Sequence, residues 1–249
     1  MAEQGNLAAS VSSAIHIGRR KQQQDAIDSL STDYGTLLIL ADGMGGMKRG
    51  AELSSAAVMA VKEAFAAWKG GSPTECLLHL CAQAQQRVFS LQNDEDEGGC
   101  TLVLALICGG ELWFLSVGDS RLYLLRRGVM LQLTRDQVYS AVLDERAALG
   151  HIAMEEARTS QYRDTINNYI GYSRLRAPDR NTSPVLLMPG DCVAAMSDGV
   201  FKTLSDERIG ELLSGGRPDA ADRVLKAVLA EEKEKQDNCS IMLAAIQRR

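Results

Sequence analysis

Apolar residues along the chain fall into short runs separated by glycine-rich and polar turns. The first run, over about 9–17, reads as a strand, and a basic, amide-rich segment follows to Asp25. A second strand is predicted over about 35–41, through Leu37-Leu38-Ile39-Leu40-Ala41. Beyond a glycine loop the period becomes helical over about 50–68, with Ala57, Val61, Phe65 and Trp68 on one face. Gly70-Gly71-Ser72-Pro73 ends that helix and opens another, striped by Leu77, Cys81, Ala84, Val88 and Leu91. The acidic stretch 93–99 reads as a solvated loop. Strands are predicted at 101–108, 111–117, 121–126 and 129–133, with hairpin turns at Gly109-Gly110 and Arg126-Arg127-Gly128. The pattern turns helical over 136–149. It is then irregular, polar and rich in Arg and Asn from 150 to about 189, too long for an idle loop and so a candidate flap or insert. A strand leads to Asp198, and Ser205 is placed to cap a short helix carrying Ile209, Leu212 and Leu213. A helix over about 219–232 carries Val224, Leu225, Val228 and Leu229, and a last strand spans 239–246. Strands come in groups and helices in pairs, which predicts packed sheets with helices outside.

The 249 residues suit one domain or at most two, and no repeat or linker divides them, so a single domain over 1–249 is expected. A hydrophobic content of 45% supports a full core and argues against disorder. The net charge of -5 argues against nucleic acid as the main partner. No apolar run approaches the roughly 18 residues of a membrane span, and the N-terminus lacks the pattern of a signal peptide. The six cysteines include no Cys-x-x-Cys pair and lie mostly within apolar runs. They read as reduced core residues of a cytoplasmic protein, against the alternative of a redox switch.

Four aspartates sit where apolar runs meet small-residue turns: Asp42 before Gly43-Met44-Gly45-Gly46, Asp119 after Val117-Gly118, Asp198 before Gly199, and Asp237 before Asn238. Singly, each Asp-Gly is a favoured turn. Jointly, four carboxylates at one sheet edge would repel each other unless cations bound there. His16, His79 and His151 lie far from them in sequence, so the donor set is all oxygen and favours Mg2+ or Mn2+ over zinc. Two such ions about 3.5–4 Å apart activate a water and neutralise phosphoryl charge, which suits phosphate-ester hydrolysis. Arg20, within Gly18-Arg19-Arg20-Lys21, is the candidate phosphate ligand; the alternative is a plain basic turn. Glu231-Glu232-Lys233-Glu234-Lys235 reads as a solvated helix end.

Taken in order, six segments carry a resemblance: Gly18-Arg19-Arg20-Lys21-Gln22-Gln23-Gln24-Asp25-Ala26, Asp42-Gly43-Met44-Gly45-Gly46, Val117-Gly118-Asp119-Ser120-Arg121, Leu133-Thr134-Arg135-Asp136, Ser197-Asp198-Gly199 and Gln236-Asp237-Asn238-Cys239-Ser240. The chain resembles, nearly end to end, the metal-dependent PPM (type 2C) serine/threonine protein phosphatases. The resemblance implies an α+β fold, a β-sandwich of two antiparallel sheets flanked by helices on both sides. It implies that Asp42 bridges two metal ions, with the Gly43 carbonyl on one and Asp198 and Asp237 on the other. Asp25 would act through bound water, and Asp119 with Asp198 would hold a weaker third ion. Arg20 would bind the substrate phosphate, and a metal-bridging hydroxide would attack phosphorus directly. The segment 138–172 corresponds to the family's variable flap.

This sequence departs from the pattern at Gln24, where many members carry Glu, and at Met44, which replaces a histidine of the eukaryotic branch proposed there as general acid. Methionine donates no proton, so water protonates the leaving alkoxide, and the chain looks like the bacterial branch. The expected partners are a phosphorylated protein and a cognate Ser/Thr kinase, with a resemblance to phosphatases paired with the kinase of a type VI secretion system. No nucleic acid or membrane partner is expected, and the chain is expected to be a monomer. Gln24 keeps open a regulatory pseudophosphatase, and the same ions would serve a hydrolase of small phosphorylated metabolites.

Overall fold

The computed structural model describes residues 7–44, 49–92 and 98–248, so Gly45, Gly46 and most of the acidic stretch 93–99 lie outside the described residues. Twelve strands and seven helices are described. The first half holds β1 (Leu7–His16), β2 (Asp25–Thr32), β3 (Gly35–Met44), α1 (Arg49–Ala66), α2 (Pro73–Leu91), β4 (Gly99–Cys100), β5 (Leu102–Cys108), β6 (Glu111–Val117), β7 (Arg121–Arg126) and β8 (Val129–Gln132). The second half holds α3 (Tyr139–Ala148), α4 (Met154–Thr159), β9 (Asp179–Arg180), β10 (Val185–Leu186), β11 (Cys192–Met196), α5 (Asp198–Phe201), α6 (Asp206–Leu213), α7 (Ala220–Ala230) and β12 (Cys239–Arg248).

Two antiparallel sheets stack face to face. One has the order β1-β12-β11-β7-β8, the other β10-β6-β5-β3-β2. The period-2 geometry of strands sends alternate residues of each apolar run to opposite faces. In β3, Leu38 and Leu40 meet Leu122, Leu124, Val193, Ala195 and Met242 between the sheets. Leu37, Ile39 and Ala41 point the other way, into α1 and α2 through Leu53, Val61, Phe65, Leu77, Leu80 and Val88. On the far side, Ala194, Met196, Ile241 and Leu243 pack against Ile209, Leu213, Val224 and Val228 of α6 and α7. Three apolar layers thus bind four structural layers, helix, sheet, sheet and helix, as the fold class expected.

Several boundaries differ from the sequence reading for identifiable reasons. The sequence predicts no strand between 25 and 35, yet β2 runs there as an edge strand in which Asp28 interrupts the face of Ala26 and Leu30, and Ser29 and Ser31 share the face of Ile27, so no apolar alternation shows. β3 continues through Asp42 and Gly43 to Met44, because Gly43 and Met44 pair with Cys100 and Gly99. Helix α3 begins three residues later than read: Asp136 is held by Arg121, and Gln137 N donates to Gly118 O. The stretch read as irregular from 150 holds α4, β9 and β10, the last two pairing with β6. Ser205 caps α6 as read, its hydroxyl accepting from Arg208 N. The six cysteines are free thiols, and all but Cys108 are buried. No described helix is long and apolar enough to cross a membrane.

Candidate metal centre

The register of two strands creates the site. Asp25 and Asp42 are direct partners across β2 and β3, so two carboxylates stand side by side on a strand pair. Like charges in that position destabilise a sheet unless something neutralises them. The second sheet brings two more: Asp198 opens α5 just after β11, and Asp237 lies two residues before β12. Asp119 lies in the turn from β6 to β7, beyond Gly118 at φ 100°.

Hydroxyls and amides from both sheets fix these groups. Ser197 Oγ and Ser240 Oγ donate to Asp25 Oδ2 at 2.8 and 2.6 Å, reaching across from β11 and β12. Ser240 N donates to Ser197 Oγ, which closes the triangle. Asp42 N donates to Thr101 Oγ1, itself 2.7 Å from Ser120 Oγ, and Thr101 N donates to Asp42 O. Asn238 ties the β1–β2 turn to the Asp237 turn: its Oδ1 accepts from Gln24 N, and its Nδ2 donates to the carbonyls of Ile17 and Gln22. Gly18, at φ 65°, lets the two turns touch, since a Cβ there would stand 2.1 Å from Asp237 O. Arg20 is thereby laid on Asp237, Nη2 to Oδ2 at 2.6 Å.

The electrostatics are those of crowded carboxylates. Burial raises the Asp42 carboxyl well above the usual range, and Asp25, Asp198, Asp119 and Asp237 push it further. Burial also lifts Asp25 to about 6, against the lowering effect of its two serine donors. Asp119 is lifted to about 6 by burial and then by Asp198, with Lys202 opposing. The other four aspartates therefore all act on Asp42, at one end of the sandwich. Among the described residues, no three of them surround one point as a finished ion cage. Asp237 is engaged by Arg20, Asp198 by Lys202 at 2.8 Å, and Asp25 by the serines.

A divalent cation fits these residues on one specific observation: Asp25 Oδ1 is buried and has no hydrogen-bond partner. An ionised oxygen left so is costly, and a hard cation or its water satisfies it. The donor set is carboxylate and carbonyl oxygen. Among the histidines, His16 caps Gly18 N and His79 stacks on Trp68 at 5.4 Å. Gly43 is hemmed by backbone: a Cβ on it would lie 2.2 Å from Gly50 O and 2.7 Å from Gln24 O. The Gln24 side chain in turn lies over Gly50, 2.4 Å from a Cβ built there, so that amide is packed beside Gly43 at the edge of the site.

The seven predicted site residues, Arg20, Asp25, Asp42, Gly43, Asp119, Asp198 and Asp237, thus sit at one end of the sandwich. The sequence assigns no role of their own to Ser197, Ser240, Thr101, Asn238 or Lys202. The serines carried a usable signal: each is a lone hydroxyl next to a site aspartate or inside an otherwise apolar strand.

The family model of protein phosphatase 2C matches residues 14–238. The chain is 28% identical over 237 residues to protein phosphatase PhpP of Streptococcus pneumoniae, covering 92% of this chain and 93% of that protein. Among solved structures it is similar to PppA, a key regulatory component of T6SS in Pseudomonas aeruginosa, at 26% identity and TM-score 0.78 over 97% of this chain and 100% of that one. It is also similar to the catalytic domain of the serine/threonine phosphatase PstP in complex with two manganese ions, at 26% identity and TM-score 0.75 over 97% of this chain and 100% of that one. By fold, motif order and these likenesses, the chain belongs to the protein phosphatase 2C family and is a protein-serine/threonine phosphatase of its bacterial branch.

Proposed function

We propose that this phosphatase is metal-dependent and removes phosphate from phosphoserine and phosphothreonine in proteins, opposing a bacterial Ser/Thr kinase. The observation that carries this reading is the pairing of Asp25 with Asp42 across two strands, with an unsatisfied buried oxygen and three further aspartates around it. Asp42, the Gly43 carbonyl, Asp198 and Asp237 would hold two Mn2+ or Mg2+ ions, with Asp25 acting through water. Bound there, the ions supply charge neutralisation for the phosphoryl oxygens and an activated water. The likeness to a relative with two manganese ions supports that stoichiometry.

The remaining work falls to the chain's own groups. Arg20 keeps one nitrogen on Asp237 and has further N–H groups with which to orient a phosphate at the mouth of the site. Asp25 is immobilised by Ser197 and Ser240, so the spacing between the sheets is set before ligands arrive. Met44 continues β3 and offers no proton, so solvent protonates the departing alkoxide. The segment 138–172, which carries α3 and α4, serves as the flap bordering this mouth. The likeness to PppA supports placing the opposing kinase with a type VI secretion system.

The test is phosphate release from a phosphothreonine peptide with Mn2+, with Mg2+ and with chelator, beside Asp42→Asn. Release with metal, abolished by chelator and by the substitution, is the expected result. Normal turnover in Asp42→Asn would overturn the assignment.

A further inference from the structure

Lys202 sits where the carboxylates of Asp119 and Asp198 converge. It follows Asp198 by four residues around the single turn of α5, a spacing that stacks the two side chains. Its Nζ lies 2.8 Å from Asp198 Oδ2 and 3.7 Å from Asp119 Oδ2. The Asp119 side chain is only 7% exposed, so its charge has little solvent to fall back on. The chain on either side of Asp119 is pinned. Gly118, before Asp119, donates its N–H to Gln137 Oε1 and accepts from Gln137 N, while Ser120, after it, is bonded to Thr101. The backbone of Lys202 is pinned as well: its N–H donates to Asp198 O and its carbonyl accepts from Lys233 Nζ at 2.6 Å. Asp164, from the 138–172 segment, adds to the negative field that holds the ammonium.

We propose that Lys202 is a built-in cation that stands in for a metal ion at the Asp119–Asp198 pair, so that the enzyme holds two divalent ions rather than three. The inference rests on the metal-dependent reading above in treating Asp198 as a core ligand. A divalent ion between Asp119 and Asp198 would need oxygen ligands at about 2.0–2.6 Å, and the ammonium already lies on the same oxygens. Because the lysine is tethered to Asp198 by one helical turn, it competes as an intramolecular ligand at high effective concentration. Asp198 can then serve the core ions with its remaining oxygen. Lys202 is thus a residue that sets metal stoichiometry and fixes Asp198.

The experiment is equilibrium dialysis of Mn2+ against the wild type, Lys202→Met, Lys202→Arg and Lys202→Met/Asp119→Asn, counting bound ions without reference to turnover. The side chain is half exposed, so Met and Arg are both accommodated. The expected result is two ions on the wild type and on Lys202→Arg. Lys202→Met gains a third, with a Kd at least about tenfold below any further binding by the wild type, and the double variant loses it. A third ion on the wild type with the same Kd as on Lys202→Met would overturn the inference. So would a Lys202→Met protein that binds no more than the wild type. Absence of any tight Mn2+ from the wild type would instead sink the metal-dependent reading, and this inference with it.

Discussion

Asp25 accepts from two serine hydroxyls of the opposite sheet and faces Asp42 across a strand pair. Both hydroxyls belong to fully buried serines, so removing one withdraws a donor from a buried carboxylate with no water to replace it. Such a loss costs about 1–3 kcal/mol. Ser240→Ala is therefore expected to lower the unfolding free energy measured in urea by that order and to weaken Mn2+ binding. Adding Ser197→Ala should give a combined effect that departs from the sum of the two, because they share one oxygen. A strictly additive double mutant would mean that the two serines act apart. Gly43 yields a second prediction at this scale. Its Cβ would collide with Gly50 O, a backbone atom that cannot swing aside. Gly43→Ala should cost about 1–3 kcal/mol by overpacking and reduce turnover further, since the shift moves the carbonyl between Asp42 and Met44. Full activity would show that the loop yields.

The elements differ in how their sequence announces them. α1 and α2 each bury one face in the same core, and their periods were plain in the chain. The α2 cap was equally local: Ser72 Oγ accepts from Glu75 N, and Glu75 returns a bond to Ser72 N. Ser72→Ala should cost about 0.5–2 kcal/mol yet leave kcat unchanged, because this helix end packs outside the sandwich away from the aspartates. Thermal unfolding and steady-state assays on one preparation separate the two effects. The 138–172 segment is the contrary case. It is held by polar side chains with long reach: Asn168, 1% exposed, donates to Gln137 Oε1 and accepts from Arg176 N, and Gln85 bonds both Gly171 N and Tyr172 O. No periodicity encodes such clamps. Asn168→Ala should speed amide hydrogen exchange across 139–172 while leaving β3 and β12 protected; unchanged exchange there would show that Asn168 is dispensable.

At the scale of the molecule, the carboxylate cluster makes stability depend on pH and metal together. Burial raises Asp25 and Asp119 to about 6 in the folded chain, above the ordinary carboxylate value of 3.8, and raises Asp42 well above that ordinary value too. Between about pH 4 and 6 the folded state then holds more protons than the unfolded one, so the metal-free protein loses stability as pH rises through that window. Chelator-treated protein should therefore show a downward contribution to its urea midpoint over that range. Mn2+ binds the ionised carboxylates, so saturating metal should flatten or reverse the slope and raise Tm most at pH 7 and above. An identical pH profile with and without metal would contradict a cation site in this cluster. The chain by itself determined the apolar runs, most helices and the aspartates at their ends, because these rest on period, turn chemistry and composition. It concealed β2, an edge strand with polar residues on both faces, and the reach of β3 through Asp42, which needed Gly99 and Cys100 as partners. The approach of Ser197 and Ser240 to Asp25, of Arg20 to Asp237 and of Lys202 to Asp119 was decided only when the two sheets stacked. Each of these contacts joins residues brought together by packing, across separations that no local pattern spans.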